Sequence, residues 1–151
     1  HTWRLCLMAL VFAPRYPEVD PARLLKMCVI HDLGEAIGGD IPAVDQDPTA
    51  PKADDERRDL LTLVDPLPGG LRSEIVDLWD EYEAAASPEA RLAKALDKLE
   101  TILQHTQGHN PPDFDYAFNL DYGRRYTSGD PLLEAVREIL DTETERRARE
   151  G

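Results

Sequence analysis

The sequence predicts an all-α protein, a single domain of about six to seven helices that spans residues 1–151. Three observations predict this class. Apolar residues recur at the i, i+3, i+4, i+7 spacing of amphipathic helices, proline-containing cap signals precede several of these runs, and no alternating apolar run is long enough for a strand. A chain of 151 residues is long enough to bury one core but short for two domains.

Residues 1–52 are predicted to form two helices and a loop. Residues 2–13 are apolar on nearly every side, which is typical of a buried helix rather than a surface one, and a proline ends the run. Asp20 and Pro21 then supply an N-cap and a first-turn proline, and helical spacing continues to about Ile37. A loop over residues 38–52, first rich in glycine and then polar, ends this helix.

Residues 53–151 are predicted to hold four more helices. Residues 53–64 have the pattern of a charged, partly exposed helix, and residues 71–85 that of an amphipathic one. A Ser-Pro pair begins a helix over 88–107, and an Asp-Pro pair begins the last helix over 131–149. Between these two, residues 109–129 are rich in Asn, Pro, Asp and Tyr and predict a loop with short helical turns.

The composition indicates which kinds of binding partner and which cellular compartment to expect. Thirty acidic residues against 17 basic ones give a net charge of −13, so we expect neither nucleic acid nor a membrane as a partner. Cys6 and Cys28 lie in apolar helical stretches, which predicts reduced thiols and a cytoplasmic location. No apolar run reaches ~18 residues and no secretory signal is visible. Because helical character begins at His1, we expect further chain upstream.

The second predicted helix carries a stripe that changes from apolar to ionisable residues without changing face. Its members are spaced i, i+1, i+4, i+7, i+8 and i+11, namely Leu24, Leu25, Cys28, His31, Asp32 and Glu35. Burial of these carboxylates without partners is costly, and no Lys or Arg shares the face. The stripe therefore predicts a positive group between the helices, although Glu35 alone can also be an ordinary polar residue at a helix end.

Two further residues can reach the same centre. His1 begins a helix with a buried face, and Asp97 interrupts the apolar side of the helix over 88–107. Imidazole nitrogen and carboxylate oxygen together suit one divalent ion, which can be Mn²⁺, Co²⁺, Fe²⁺, Zn²⁺ or Mg²⁺. Other readings stay open at this point, because His1 can be a helix cap and Asp97 can pair with Lys94 or Lys98 on the surface.

The joint pattern resembles a known family. His1, the pair His31-Asp32 and Asp97 are similar to the H…HD…D signature of the HD-domain phosphohydrolases. Four segments look like the branch that contains the 5′-deoxynucleotidases. They are His31-Asp32-Leu33-Gly34-Glu35-Ala36, Gly39-Asp40-Ile41-Pro42, Leu96-Asp97-Lys98-Leu99-Glu100 and Phe118-Asn119-Leu120-Asp121-Tyr122. The similarity covers essentially the whole chain.

The resemblance implies an HD-domain helical bundle that hydrolyses nucleoside 5′-monophosphates, preferentially deoxy ones, as a homodimer. It implies a single divalent ion held by His1, His31, Asp32 and Asp97. It further implies that Glu35 handles the attacking water and that Asp40 contacts the sugar or assists catalysis. A substrate-binding arginine is also expected on a helix before the first ligand, and this sequence does not contain that helix.

Other interpretations stay open. Lys94 lies three residues before Asp97 and is expected to face the phosphate of the substrate, or else it is solvated or pairs with a neighbouring glutamate. The reaction can instead involve nucleoside di- or triphosphates or phosphodiesters, although the chain offers few cationic residues for them. A third interpretation is a non-catalytic helical dimer that binds a metal or a nucleotide. Glu35 and Asp40 disfavour it, because a purely structural metal site needs neither.

Overall fold

The computed structural model describes residues 1–40 and 52–150, and this part of the chain is helical without strands. Its eight α-helices are α1 (Thr2–Phe12), α2 (Pro21–Ile30), α3 (Glu35–Gly38), α4 (Lys52–Val64), α5 (Gly69–Ala84), α6 (Pro88–Gln107), α7 (Arg124–Thr127) and α8 (Pro131–Glu150). Short 3-10 helices lie at Ala13–Arg15 and Ala117–Leu120. The predicted all-α class is confirmed. Most of the predicted 38–52 loop lies outside the described residues.

Helix α6 is the centre of the bundle. Its N-terminus is capped by Ser87, whose Oγ accepts a hydrogen bond from the Ala90 backbone N–H at 3.1 Å. Most of its residues are buried, and small side chains such as Ala93 and Ala95 let neighbouring helices approach closely. Helices α1, α2, α5, α7 and α8 all contact it. Side chains on α6 can therefore meet groups from several other helices.

The second helix is shorter than predicted. It ends at Ile30 rather than near Ile37, and residues 31–34 form a turn before α3 begins at Glu35. Backbone i+3 hydrogen bonds tighten this turn, as where the Leu33 N–H donates to the Ile30 carbonyl at 3.0 Å. A turn of this kind winds more tightly than an α-helix, so the residues beyond it leave the predicted stripe.

Two side-chain hydrogen bonds hold the turn in place. His31 Nδ1–H donates to the Cys28 carbonyl at 2.9 Å, and Trp79 Nε1–H donates to the His31 carbonyl at 3.1 Å. Both bonds satisfy carbonyl groups that a helix leaves unpaired at its C-terminus. Helix α4 packs directly on the turn at Gly34, where an added Cβ would lie 2.9 Å from the Glu56 Cβ. The orientation of the His31 ring is thus fixed by its surroundings.

The loop before α7 is fixed by the buried guanidinium of Arg137 on α8. This group donates to three backbone carbonyls at 2.7 Å each, those of Asn119, Leu120 and Tyr122. Gly123 follows with φ +66°, and an added Cβ there would lie 2.5 Å from the Lys98 Cβ. Glycine is therefore required both by the backbone conformation and by the close approach to α6.

Helix α1 is not buried on all sides, contrary to the prediction. Leu5 and Ala9 are fully buried, but one side of the helix exposes large apolar residues, namely Trp3, Leu7, Leu10 and Val11. The reason is that α2 and α6 pack against only the opposite side. No helix in the described part of the chain combines the length and the apolar character needed to cross a bilayer.

Candidate metal centre

Three of the four predicted ligands lie together at the meeting point of α1, α2 and α6. His1 precedes α1, His31 follows α2, and Asp97 lies in the middle of α6. One potential ligand atom of each lies within 4.8 Å of the other two, and this is the one such group found among the described residues. Asp97 Oδ1 is 3.0 Å from His1 Nε2 and 3.7 Å from His31 Nε2. Both imidazole Nε2 atoms therefore face the same carboxylate oxygen.

The fourth predicted ligand, Asp32, borders this group. Its Oδ1 lies 2.9 Å from His31 Nε2, and its side chain is 45% exposed. Asp32 is not part of the group whose ligand atoms all lie within 4.8 Å of one another. The structure thus buries His31 and Asp97, whereas His1 is partly exposed and Asp32 lies on the solvent side of His31.

The surroundings of His31 Nε2 show whether a metal ion fits here. It is buried and has no hydrogen-bond partner, although carboxylate oxygens of Asp32 and Asp97 lie 2.9 Å and 3.7 Å from it. The other ring nitrogen, Nδ1, carries its proton toward the Cys28 carbonyl, which leaves Nε2 with a lone pair in the neutral tautomer. A buried polar atom without a partner is unfavourable, whereas a ligand nitrogen is satisfied by its ion. The donor set of imidazole nitrogen and carboxylate oxygen fits a divalent metal.

The carboxylates attract positive charge into the centre. Burial disfavours the imidazolium form of His1, yet Asp97 and Glu100 outweigh this effect and raise its pKa to about 10. In the same way Asp32 and Asp97 overcome burial and raise the pKa of His31 to about 9, so the same carboxylates that stabilise a proton on this ring would stabilise a metal ion in place of that proton. The two histidines in turn hold the pKa of the buried Asp97 carboxyl well below its ordinary value. The site is thus electrostatically suited to a cation.

Asp97 uses its second oxygen to contact two residues that the sequence did not assign to the site. The Tyr82 hydroxyl donates to Asp97 Oδ2 at 3.1 Å, and Lys98 Nζ lies 2.7 Å from the same atom. Tyr82 lies in the amphipathic helix that the sequence predicts over residues 71–85. A signal was present, because a buried tyrosine hydroxyl needs a hydrogen-bond partner. The sequence indicates Lys98 only as a surface partner of Asp97, whereas the structure covers most of its side chain.

Glu35 lies at the start of α3 and contacts the beginning of α4. Lys52 Nζ is 2.9 Å from Glu35 Oε1 and 2.8 Å from a Glu56 oxygen. Burial raises the pKa of the Glu35 carboxyl, the Lys52 ammonium opposes this rise, and the charges of Asp40 and Asp32 add to it. Asp40 itself is exposed. Glu35 is therefore within electrostatic reach of both aspartates.

Lys94 is buried on α6 and faces α5. Its Nζ donates to Glu83 Oε1 at 3.0 Å and lies 4.2 Å from the centre of the Tyr82 ring. Its acidic partner is thus a residue of α5 rather than one of the glutamates on its own helix. Contact between Lys94 and a substrate stays a prediction.

The fold and the site together define the class of this protein. It is a helical bundle with a centre of histidine and aspartate side chains where three helices meet. The family model of the HD domain matches residues 1–137. The chain therefore belongs to the HD-domain family, and the resemblance inferred from its motifs is confirmed.

Relatives of known name support the assignment. The 5′-deoxynucleotidase HDDC2 of Danio rerio is 41% identical over 104 residues, which are 69% of this chain and 51% of the relative. The Homo sapiens protein of the same name is 35% identical over 107 residues, 71% of this chain and 52% of the relative. The chain thus spans about half the length of these relatives.

A solved structure shows the same fold. The crystal structure of a predicted metal-dependent phosphohydrolase from Magnetospirillum magnetotacticum MS-1 superposes with a TM-score of 0.81 at 30% sequence identity. The match covers 98% of this chain and 78% of that chain.

Proposed function

We propose that this HD domain is a metal-dependent phosphohydrolase that removes phosphate from nucleoside 5′-monophosphates, preferentially deoxy ones. The observation that carries the proposal is the buried His31 Nε2, which has no hydrogen-bond partner and lies within 4.8 Å of ligand atoms of His1 and Asp97. The names of the similar proteins, 5′-deoxynucleotidase and metal-dependent phosphohydrolase, support the reaction.

In this proposal His1, His31, Asp32 and Asp97 hold one divalent ion, which can be Mn²⁺, Co²⁺, Fe²⁺, Zn²⁺ or Mg²⁺. When bound, such an ion supplies Lewis-acid polarisation of a phosphate oxygen and lowers the pKa of water. Tyr82 and Lys98 fix the carboxylate of Asp97 by contacting the oxygen that does not face the histidines. The protein thereby holds its ligands in place before the substrate arrives.

Glu35 is proposed to orient and deprotonate the attacking water. A phosphomonoester resists attack because its anionic oxygens repel a nucleophile, so catalysis needs both a base and a positive group near the phosphate. Burial and the neighbouring aspartates raise the pKa of Glu35, which makes it a better proton acceptor than an ordinary glutamate. Lys98, beside Asp97, is the cation that the geometry places nearest to the centre and is proposed to contact the phosphate.

Asp40 and Lys94 keep the roles proposed from the sequence. The exposed carboxylate of Asp40 is accessible to a sugar hydroxyl, and its charge acts on Glu35. The ammonium of Lys94 would have to leave Glu83 to reach a phosphate. Lys98 is also paired, with Asp97 Oδ2 at 2.7 Å, but that contact keeps its ammonium beside the proposed metal ligands.

The pH dependence of the reaction tests the role of Glu35. The Lys52 ammonium stabilises the Glu35 anion and so lowers its pKa. In Lys52→Met the pKa of Glu35 is expected to rise, so the base form needs a higher pH. We expect the acidic limb of the kcat/KM profile to move up by about one pH unit.

The control for this experiment is Lys26→Met, which removes an exposed ammonium paired with Glu74. That variant is expected to keep the acidic limb of the original protein. An unchanged limb in Lys52→Met would remove Glu35 from the role of base.

The substrate class is tested by phosphate release from a panel of compounds. Deoxynucleoside 5′-monophosphates are expected to be hydrolysed fastest, followed by ribonucleoside 5′-monophosphates. Faster hydrolysis of nucleoside di- or triphosphates or of cyclic dinucleotides would establish a different phosphohydrolase reaction. Binding of Mn²⁺ without hydrolysis of any compound would favour a non-catalytic protein.

We further propose that the protein forms a homodimer in the cytoplasm. The exposed apolar side chains of α1, such as Trp3 and Val11, offer a surface suited to a second copy. Both cysteines are free, which suits a reducing compartment. Sedimentation equilibrium distinguishes the dimer from a monomer.

A further inference from the structure

Glu100 is a fully buried carboxylate that lies one helical turn after Asp97 on α6. It accepts a hydrogen bond from His1 Nδ1, while His1 Nε2 lies 3.0 Å from Asp97 Oδ1. Residues three apart lie on the same face of a helix, so the imidazole ring bridges the two carboxylates. The two ring nitrogens are thereby given different partners.

The second oxygen of Glu100 faces a guanidinium, as an ion pair without hydrogen-bond geometry. Arg4 Nε lies 2.8 Å from Glu100 Oε1, and Arg4 Nη2 donates to Gln107 Oε1 at 3.2 Å. Arg4 follows His1 by about one turn at the start of α1. The carboxylate of Glu100 therefore lies between the Arg4 guanidinium and the His1 ring, and its hydrogen bond is the one from His1 Nδ1.

We propose that Glu100 is a positioning residue that holds His1 in the Nδ1–H tautomer and aims its Nε2 atom at the metal centre. The inference rests on the metal centre of the proposed function. A carboxylate that accepts the second N–H of a histidine fixes the orientation of the ring and increases the basicity of the ligand nitrogen. His31 uses the neutral Cys28 carbonyl for the same purpose, so the added negative charge is specific to His1.

The variant Glu100→Gln keeps the shape of the side chain and removes its charge. After chelator treatment, its affinity for Mn²⁺ is expected to be about 10-fold lower by isothermal titration calorimetry, and that of Glu100→Leu about 100-fold lower. The matched control is Glu89→Gln on the same helix. Glu89 is also buried, but it accepts a hydrogen bond from the Asp20 backbone N–H at 2.8 Å. This control is expected to bind Mn²⁺ like the original protein.

Nitrogen NMR of the Zn²⁺-loaded protein gives a readout that a purely structural role would not change. We expect a proton on His1 Nδ1 in the original protein and in Glu100→Gln, and in Glu100→Leu a second population in which His1 binds through Nδ1 or does not bind the ion. Unchanged Mn²⁺ affinity in Glu100→Gln, or an equal loss in Glu89→Gln, would overturn the inference even if Glu100→Leu fails to fold. Absence of Mn²⁺ binding by the original protein would instead overturn the metal centre itself, and the inference with it.

Discussion

Replacing Asp97 with Asn is expected to abolish both metal binding and phosphate release. The buried carboxylate of Asp97 faces both histidines through one oxygen and contacts Tyr82 and Lys98 through the other. Asparagine keeps the shape of the side chain but lacks the negative charge that attracts the ion. Loss of a residue that only orients a ligand weakens metal binding by about 10- to 100-fold, so loss of the ligand itself should exceed about 100-fold. Titration calorimetry with Mn²⁺ and a phosphate-release assay measure the two effects.

The control for this variant is Asp80→Asn. Asp80 forms an exposed ion pair with Arg57, with its Oδ1 2.7 Å from Arg57 Nε. An exposed pair contributes little to stability, so we expect this control to keep both metal binding and turnover. Circular dichroism is the check that both variants are folded. Normal Mn²⁺ affinity in a folded Asp97→Asn variant would place the ion elsewhere.

The variant Glu35→Gln is expected to retain the ion and lose most of its turnover. Glutamine cannot accept the proton of the attacking water, and loss of a general base lowers kcat by about 10²- to 10⁴-fold. Mn²⁺ affinity is expected to stay unchanged, because Glu35 is not among the four proposed ligands. Parallel measurements of kcat and of bound Mn²⁺ separate this result from the one expected for Asp97→Asn.

Glu56→Gln is the matched control for Glu35. Both glutamates contact the ammonium of Lys52, at 2.9 Å for Glu35 and 2.8 Å for Glu56. Only Glu35 is proposed to reach the substrate. If Glu56→Gln loses as much turnover as Glu35→Gln, the effect comes from the shared contact with Lys52, and the assignment of the base fails.

The parts of the centre that the sequence could predict are those where residue type and burial conflict. His31 continues an apolar stripe, and Asp97 interrupts an apolar helix, so the sequence alone indicates that both belong to a buried polar centre. The helix starts at Ser87 and Asp130 could also be predicted from the sequence, because each of these caps accepts hydrogen bonds from backbone groups within three residues of itself. Local physics was sufficient for these features.

The features that the sequence did not predict depend on contacts between distant segments. Nothing near Glu100 in the sequence indicates that its partners are His1 and Arg4, which precede it by more than 90 residues. The end of α2 at Ile30 likewise depends on Trp79 from another helix. The helical spacing of apolar residues continues through such a turn, because this pattern depends on positions in the sequence and not on the residues that pack against them.

The most direct test of the proposed metal-dependent hydrolysis is a Mn²⁺ titration of the chelator-treated protein, with phosphate release from 2′-deoxyadenosine 5′-monophosphate measured at each step. We predict no release before Mn²⁺ is added, and a rise that follows the bound ion and ends at one ion per chain. Full release from a protein that holds no ion would contradict a reaction centred on His1, His31, Asp32 and Asp97.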